Sequence, residues 1–163
     1  LLGKEFLENV MRVILIALIA VSLVIYIRYR KIVVTVPVII TLLSEIIILL
    51  GAAALIKWNL DLVSIAGILV AIGTGIDSQV IIVDEILRKE SQSFSNWKDR
   101  LKNAFFIIMA SYFTLVVAMI PLFTAGAGML KGFALTTISG ISIGVFITRP
   151  AFAKIAEVLL KED

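Results

Sequence analysis

An aspartate sits inside a run of apolar residues long enough to cross a bilayer, and few folds tolerate that arrangement. The run is Leu62–Leu87, LVSIAGILVAIGTGIDSQVIIVDEIL, and the residue is Asp77. At a rise of about 1.5 Å per residue, Asp77 lies roughly 24 Å along a helix from Asp61. Asp84, seven residues further on, falls about 20° away in azimuth, so the two carboxylates share one helix face. Against lipid, a carboxylate at that depth costs several kcal/mol, so such groups face a bundle interior or a wet cavity. Two roles fit Asp77: it serves ion or proton movement, or it hydrogen-bonds a neighbouring helix.

The rest of the chain is built on the same scale. Of its 163 residues 61% are apolar, with a mean hydropathy of +1.11, against the roughly 45–50% usual in soluble domains. The apolar residues come in blocks of bilayer-spanning length. Five spans are expected, near residues 10–27, 32–56, 62–87, 104–123 and 132–153, forming one all-α membrane bundle. There is no cysteine and no histidine. Disulfides, Cys/His zinc sites and Ser–His–Asp chemistry are thereby excluded, and we expect no metal, no cofactor and no enzymatic activity. Proteolysis by two aspartates would need a second Asp across a cleft, whereas Asp84 is on the same helix. The net charge of +3 comes with no basic, aromatic-interleaved tract, so nucleic acid is not an expected partner.

Along the chain, residues 1–9 lead into the first span as a short interfacial helix with Phe6 and Leu7 towards lipid. Arg12 snorkels near the start of that span, and Tyr26 and Tyr29 mark its far end. Glu45 lies near the middle of the second span, either as a packed, hydrogen-bonded carboxyl or as part of a polar pathway. In the third span Gly67, Ala71 and Gly75 recur every four residues, a small-residue seam for close helix contact, and Gly73 and Thr74 closely precede Asp77. Residues 88–102 form a polar linker whose second half fits a short surface helix capped by Ser95. Ser111 and Thr114 in the fourth span either face Asp77 or bond their own helix carbonyls; Pro121 marks the end of that span. In the fifth, Gly132, Thr136, Gly140, Gly144 and Thr148 form a second seam, and Arg149 and Pro150 are placed near its end.

Basic residues are distributed unevenly. With five spans, positions 28, 30, 31, 88, 89, 98, 100, 102, 149, 154 and 161 fall on one side, and 4, 12, 57 and 131 on the other. Eleven against four predicts that the first side is cytoplasmic and that residue 1 lies on the extracytoplasmic side. The start at Leu-Leu-Gly-Lys reads as a cut within a longer protein.

Residues 67–85, GILVAIGTGIDSQVIIVDE, resemble the fourth transmembrane segment of the SecD family of protein-export subunits, where a glycine-rich run precedes an intramembrane Asp. Residues 132–149, GFALTTISGISIGVFITR, resemble its sixth, and 103–123 its fifth. The resemblance implies segments two to six of a subunit in the resistance–nodulation–division superfamily. A first segment and a large extracytoplasmic preprotein-contacting domain would then precede Leu1. It implies a SecF-like subunit, the Sec translocon and preprotein as partners within the bilayer, and ion coupling, with protons the expected ion. The family's key Asp falls on Asp77, and the acidic residue ending that motif on Asp84. Bacterial members follow the Asp with a small residue and Asn, then Phe-Glu-Arg. The residues here, Ser78, Gln79, Val83, Asp84 and Glu85, are closer to archaeal members. Glu45, Thr74, Ser78, Gln79, Asp84, Ser111 and Thr114 are the expected polar support for Asp77. A small-molecule exporter of the same superfamily and a non-coupling translocon scaffold are the alternatives.

Overall fold

The computed structural model describes residues 2–58, 60–87 and 97–161. These form α1 (Leu2–Tyr29), α2 (Ile32–Leu55), α3 (Leu62–Leu87), α4 (Trp97–Ala125), α5 (Gly128–Ile143), a π-helical turn (Gly144–Thr148) and α6 (Arg149–Lys161). Among the described residues, five stretches are long and apolar enough to span a bilayer, the last running through α5, the π-turn and α6 from Gly128 to Leu159. The protein is an all-α, multi-pass membrane bundle.

Several boundaries differ from those the sequence suggests, each for a local reason. Residues 2–9 continue into α1 without a break, since nothing in LGKEFLEN stops a helix; the Phe6 and Leu7 side chains lie outside the described residues. Residues 97–102 likewise form the first turns of α4 rather than a separate surface helix, whereas Ser95 lies outside the described residues. Pro121 is inside α4, which runs on to Ala125. A proline removes one N–H and crowds the carbonyl four residues back; beyond it, Thr124 Oγ1 donates to the Ile120 carbonyl at 2.9 Å.

The α1–α2 and α2–α3 turns are tight. Arg30 and Lys57 take left-handed conformations with φ of 51° and 55°, reversing the chain within a few residues. Asp61 caps α3, its Oδ1 accepting the Ser64 N–H at 2.7 Å, one of the donors a helix start leaves unpaired. The Ser64 side chain and, after it, this Ser64 N–H bond hold the partly buried Asp61 carboxyl below its ordinary range.

α3 is the centre of the bundle, packing most extensively on α5 and touching every other helix. The α3–α5 contact is made by the small residues. A β-carbon on Gly67 would meet Thr136 Oγ1, one on Gly140 would meet Ala71 Cβ, and one on Gly132 would lie 2.7 Å from Ser64 Oγ. Thr136 Oγ1 lies 3.0 Å from the Ser64 carbonyl, with the Gly132 and Phe133 carbonyls of its own helix at 2.9 and 3.1 Å as alternative acceptors; only close backbone approach brings the first within reach. The buried apolar residues fall into two clusters. One includes Leu42, Ile82, Val83, Ile108 and Phe152, the other Ile14, Ile46, Leu49, Ile68 and Ile72. α2 passes from one to the other through Glu45, and α3 through Gly75 and Gln79, so a polar layer lies between two dry ones.

Candidate functional site

The polar layer is built around Arg149. The π-turn places it there: the Arg149 N–H reaches the Gly144 carbonyl, five residues back. Pro150, with no N–H of its own, follows at once. A ring in this position disrupts the regular ladder, and a widened turn is one of the few ways a helix accommodates such a break. The chain therefore continues as α6 to Lys161, beyond the Ala153 end expected of the span, and Arg149 is interior rather than interfacial. Its side chain is 1% exposed and that of Glu45 is 3% exposed.

Arg149 Nη1 donates to Glu45 Oε2 at 2.6 Å and to Thr148 Oγ1 at 2.9 Å. The Thr148 hydroxyl in turn lies 3.0 Å from Glu45 Oε2 and 3.2 Å from the Gly144 carbonyl, its alternative acceptors. Two members of the small-residue seams make room for the guanidinium. A β-carbon on Gly144 would collide with Arg149, and one on Gly75 would come within 2.9 Å of its Nη2 and 3.5 Å of Glu45 Oε2. The pair is incompletely bonded: Glu45 Oε1 and Arg149 Nε are buried with no partner among the described residues.

Asp77 lies on the other side of α3. It lines an open cleft of about 180 Å³ with Thr74 and Ser78 of its own helix, Ser111 and Tyr112 of α4, and Arg149. The Asp77 side chain is exposed on this chain, so its own helices do not enclose it. Among the described residues no hydrogen bond or ion pair ties it to another helix. Thr74 and Ser78 donate to the carbonyls of Ala71 and Thr74 at 3.0 and 2.8 Å, leaving their oxygens able to accept. The Tyr112 and Ser142 hydroxyls pair at 3.1 Å, joining α4 to α5 beside the cleft.

The expected supporting residues therefore divide. Thr74, Ser78 and Ser111 share the cleft with Asp77. Thr114 does not, since it is exposed and donates to the Ala110 carbonyl at 2.9 Å. Gln79 points to α2, its Nε2 donating to Thr41 Oγ1 at 2.8 Å in the core, and Glu45 is committed to Arg149. Asp84 belongs to α1: it accepts from Arg28 Nη2 and from the Tyr29 hydroxyl, both at 2.6 Å. Sequence reasoning missed the buried position of Arg149 and its bridge through Thr148. A Glu at mid-span with no other cation at that depth was the available signal, since a buried carboxylate calls for a charge partner.

The family described as "Protein export membrane protein SecD/SecF, C-terminal" matches residues 1–160. The chain is 52% identical over 160 residues to the protein-export membrane protein SecD of Methanocaldococcus jannaschii, covering 98% of this chain and 40% of that protein. It is 49% identical over 163 residues to its counterpart in Methanothermobacter thermautotrophicus, covering 96% of this chain and 40% of that protein. With the protein translocase subunit SecD of Aquifex aeolicus, the identity is 31% over 159 residues, covering 94% and 31% respectively. The chain thus spans about two fifths of the length of the first two relatives. Five packed apolar spans and a family match along almost the whole sequence lead to one conclusion: the chain belongs to the SecD/SecF family of protein-export membrane proteins.

Proposed function

We propose that this chain is the membrane part of a SecD-type subunit that couples an ion gradient, with protons as the ion, to preprotein export, and that Asp77 is the ion-responsive carboxylate. One observation carries the reading. Of the two carboxylates near mid-span, Glu45 is neutralised by Arg149 in the core. Asp77 lies unbonded in an open cleft lined with hydroxyls. A carboxylate left without a partner at that depth is costly unless water, an ion or a partner reaches it. Loading and unloading it with a proton changes the charge inside the bundle, which biases any two helix arrangements that differ around the cleft.

In this reading a SecF-like subunit covers the face on which the cleft opens, and the pair works with the Sec translocon. Preprotein is engaged by an extracytoplasmic domain elsewhere in the protein, and the SecD-type subunit belongs to the resistance–nodulation–division superfamily. The test is Asp77→Asn in the full-length protein within its complex, reconstituted in vesicles with a translocon. The substitution keeps the shape and removes the titration. The gradient-dependent part of export should disappear while gradient-independent export persists. Wild-type stimulation by the gradient in the variant would show that Asp77 is not the coupling group.

A further inference from the structure

Arg149 belongs to two places at once. It is buried against Glu45, and it also forms part of the wall of the cleft that holds Asp77. Arginine stays protonated under all relevant conditions, so it can change partners but cannot discharge. Its attachment to Glu45 is partial. Arginine–carboxylate pairs are often bidentate, yet here a single nitrogen, Nη1, meets a single oxygen, Oε2. Nε and Glu45 Oε1 are left buried and unpartnered among the described residues. Nη2 lies beside Gly75, two residues before Asp77 on the same helix. The guanidinium occupies the volume that β-carbons at Gly75 and Gly144 would fill.

A pair whose only task was to hold α2 against the fifth span would be a poor choice. Well-packed apolar residues often serve a buried interface as well or better. The π-turn behind Arg149 is itself a feature found frequently at functional positions in helices.

We infer that Glu45 is a positioning residue of the ion cycle: it parks Arg149 away from Asp77, and the guanidinium moves between the two carboxylates as Asp77 gains and loses its ion. This rests on the reading of Asp77 as the ion-responsive group. When Asp77 is ionised, it competes with Glu45 for the single cation between them. When a proton neutralises it, the guanidinium returns to Glu45 and Thr148. The groups that bear on this exchange are few. α2 supplies Glu45, α3 supplies Asp77, α4 supplies Tyr112, and the fifth span supplies Arg149. From α1, Arg28 and Tyr29 are engaged with Asp84, two helical turns along α3 from Asp77.

The test is the pH profile of gradient-driven export, measured with the full-length protein in its complex. In Glu45→Gln the guanidinium loses its parking site and stays with Asp77, so a proton must displace it. The midpoint of the profile should move at least about one pH unit towards acid, the size of effect an adjacent arginine has on a carboxylate. An unmoved midpoint in an assembled variant would overturn the proposal and leave the pair as a structural staple. Should Glu45→Gln fail to assemble, Thr148→Val removes the bridging hydroxyl but no charge. A smaller acid shift in that variant supports the exchange, and an unmoved midpoint overturns it. Asp77→Asn separates the two readings. If it retains wild-type gradient-driven export, the Asp77 assignment fails and takes this one with it. If it loses that export while the Glu45 and Thr148 variants keep the wild-type midpoint, only the role given to Glu45 fails.

Discussion

A β-carbon on Gly144 would fall onto the Arg149 guanidinium, and one on Gly75 would come within 3.2 Å of Leu42 Cδ2 as well as close to Arg149. Neither glycine has a positive φ, so space rather than backbone freedom is what these positions require. Gly144→Ala should therefore destabilise the protein by about 1–3 kcal/mol, the usual cost of overpacking a filled interior. Gly51→Ala is the matched control, because nothing lies within 4 Å of its β-position. There the better helix propensity of alanine should leave stability unchanged or raise it by up to about 1 kcal/mol. Thermal unfolding in detergent compares the two, and equal melting of Gly144→Ala and wild type would mean that the guanidinium does not need that slot. These glycines also show what a sequence conceals. A repeat of small residues every four positions announces close packing, and Gly67, Gly132 and Gly140 do provide it between α3 and α5. The same repeat cannot reveal that Gly75 and Gly144 make room for a side chain distant in sequence. Asp77 was legible because a charge in an apolar run is anomalous wherever the helix packs. Arg149 was not, because its meaning depends on the Glu45 that α2 brings against it.

Among the elements, α3 has the most to lose at its ends. Its first turn relies on Asp61, whose carboxylate accepts the Ser64 N–H. The folded-state pKa of this group lies below its ordinary value of 3.8, so the cap's contribution is fully present above the unfolded pKa and is lost as pH falls through the folded one. Asp61→Ala should cost about 0.5–1 kcal/mol at neutral pH, the lower part of the range for caps because the group is partly open to solvent. The difference from wild type should fade only in acid, below the ordinary carboxylate range. Asp61→Asn, which can still accept the Ser64 N–H but carries no charge, should lie between wild type and Asp61→Ala at neutral pH. A pH series of unfolding curves measures all three, and a difference that persists at low pH would show that charge on Asp61 is not involved. Element boundaries were legible where polar residues and turns coincide, as between α1 and α2. They were misleading at the prolines. Pro121 reads as a stop, yet α4 runs past it to Ala125, and at Pro150, which the sequence places near the end of the fifth span, the helix widens into a π-turn and continues as α6 to Lys161.

Across the whole molecule, burial is lopsided, and the charges say which way the bundle sits. α2 and α3 are half covered by their neighbours, whereas α4 presents Phe106, Phe113 and Val117 outward, a surface for lipid or a partner subunit. The ends of the bundle differ in sign more than its sides do. With Arg149 removed from the count because it is buried against Glu45, eight basic residues among those described lie at the end holding the α1–α2 turn and four at the other. That asymmetry still predicts a cytoplasmic side for the α1–α2 turn and the end of α6. The chain has no native cysteine, so once any cysteine elsewhere in the full-length protein is replaced, single substitutions report on sidedness without background. In intact cells, a membrane-impermeant maleimide should label Lys57→Cys and Lys131→Cys in the full-length protein, but label Arg30→Cys and Lys154→Cys only after the membrane is opened. The reverse pattern would invert the bundle and direct the cleft's proton path to the opposite compartment. Labelling of one member of each pair would instead mean that a helix here counted as a span does not cross. The orientation matters for the proposed coupling, because an inward gradient of protons could drive Asp77 only if its loading side faced the extracytoplasmic space. A fold held together by small-residue seams, with Arg149 bonded to Glu45 and also lining the cleft of Asp77, could do the work proposed for it only when the two faces of the membrane differ.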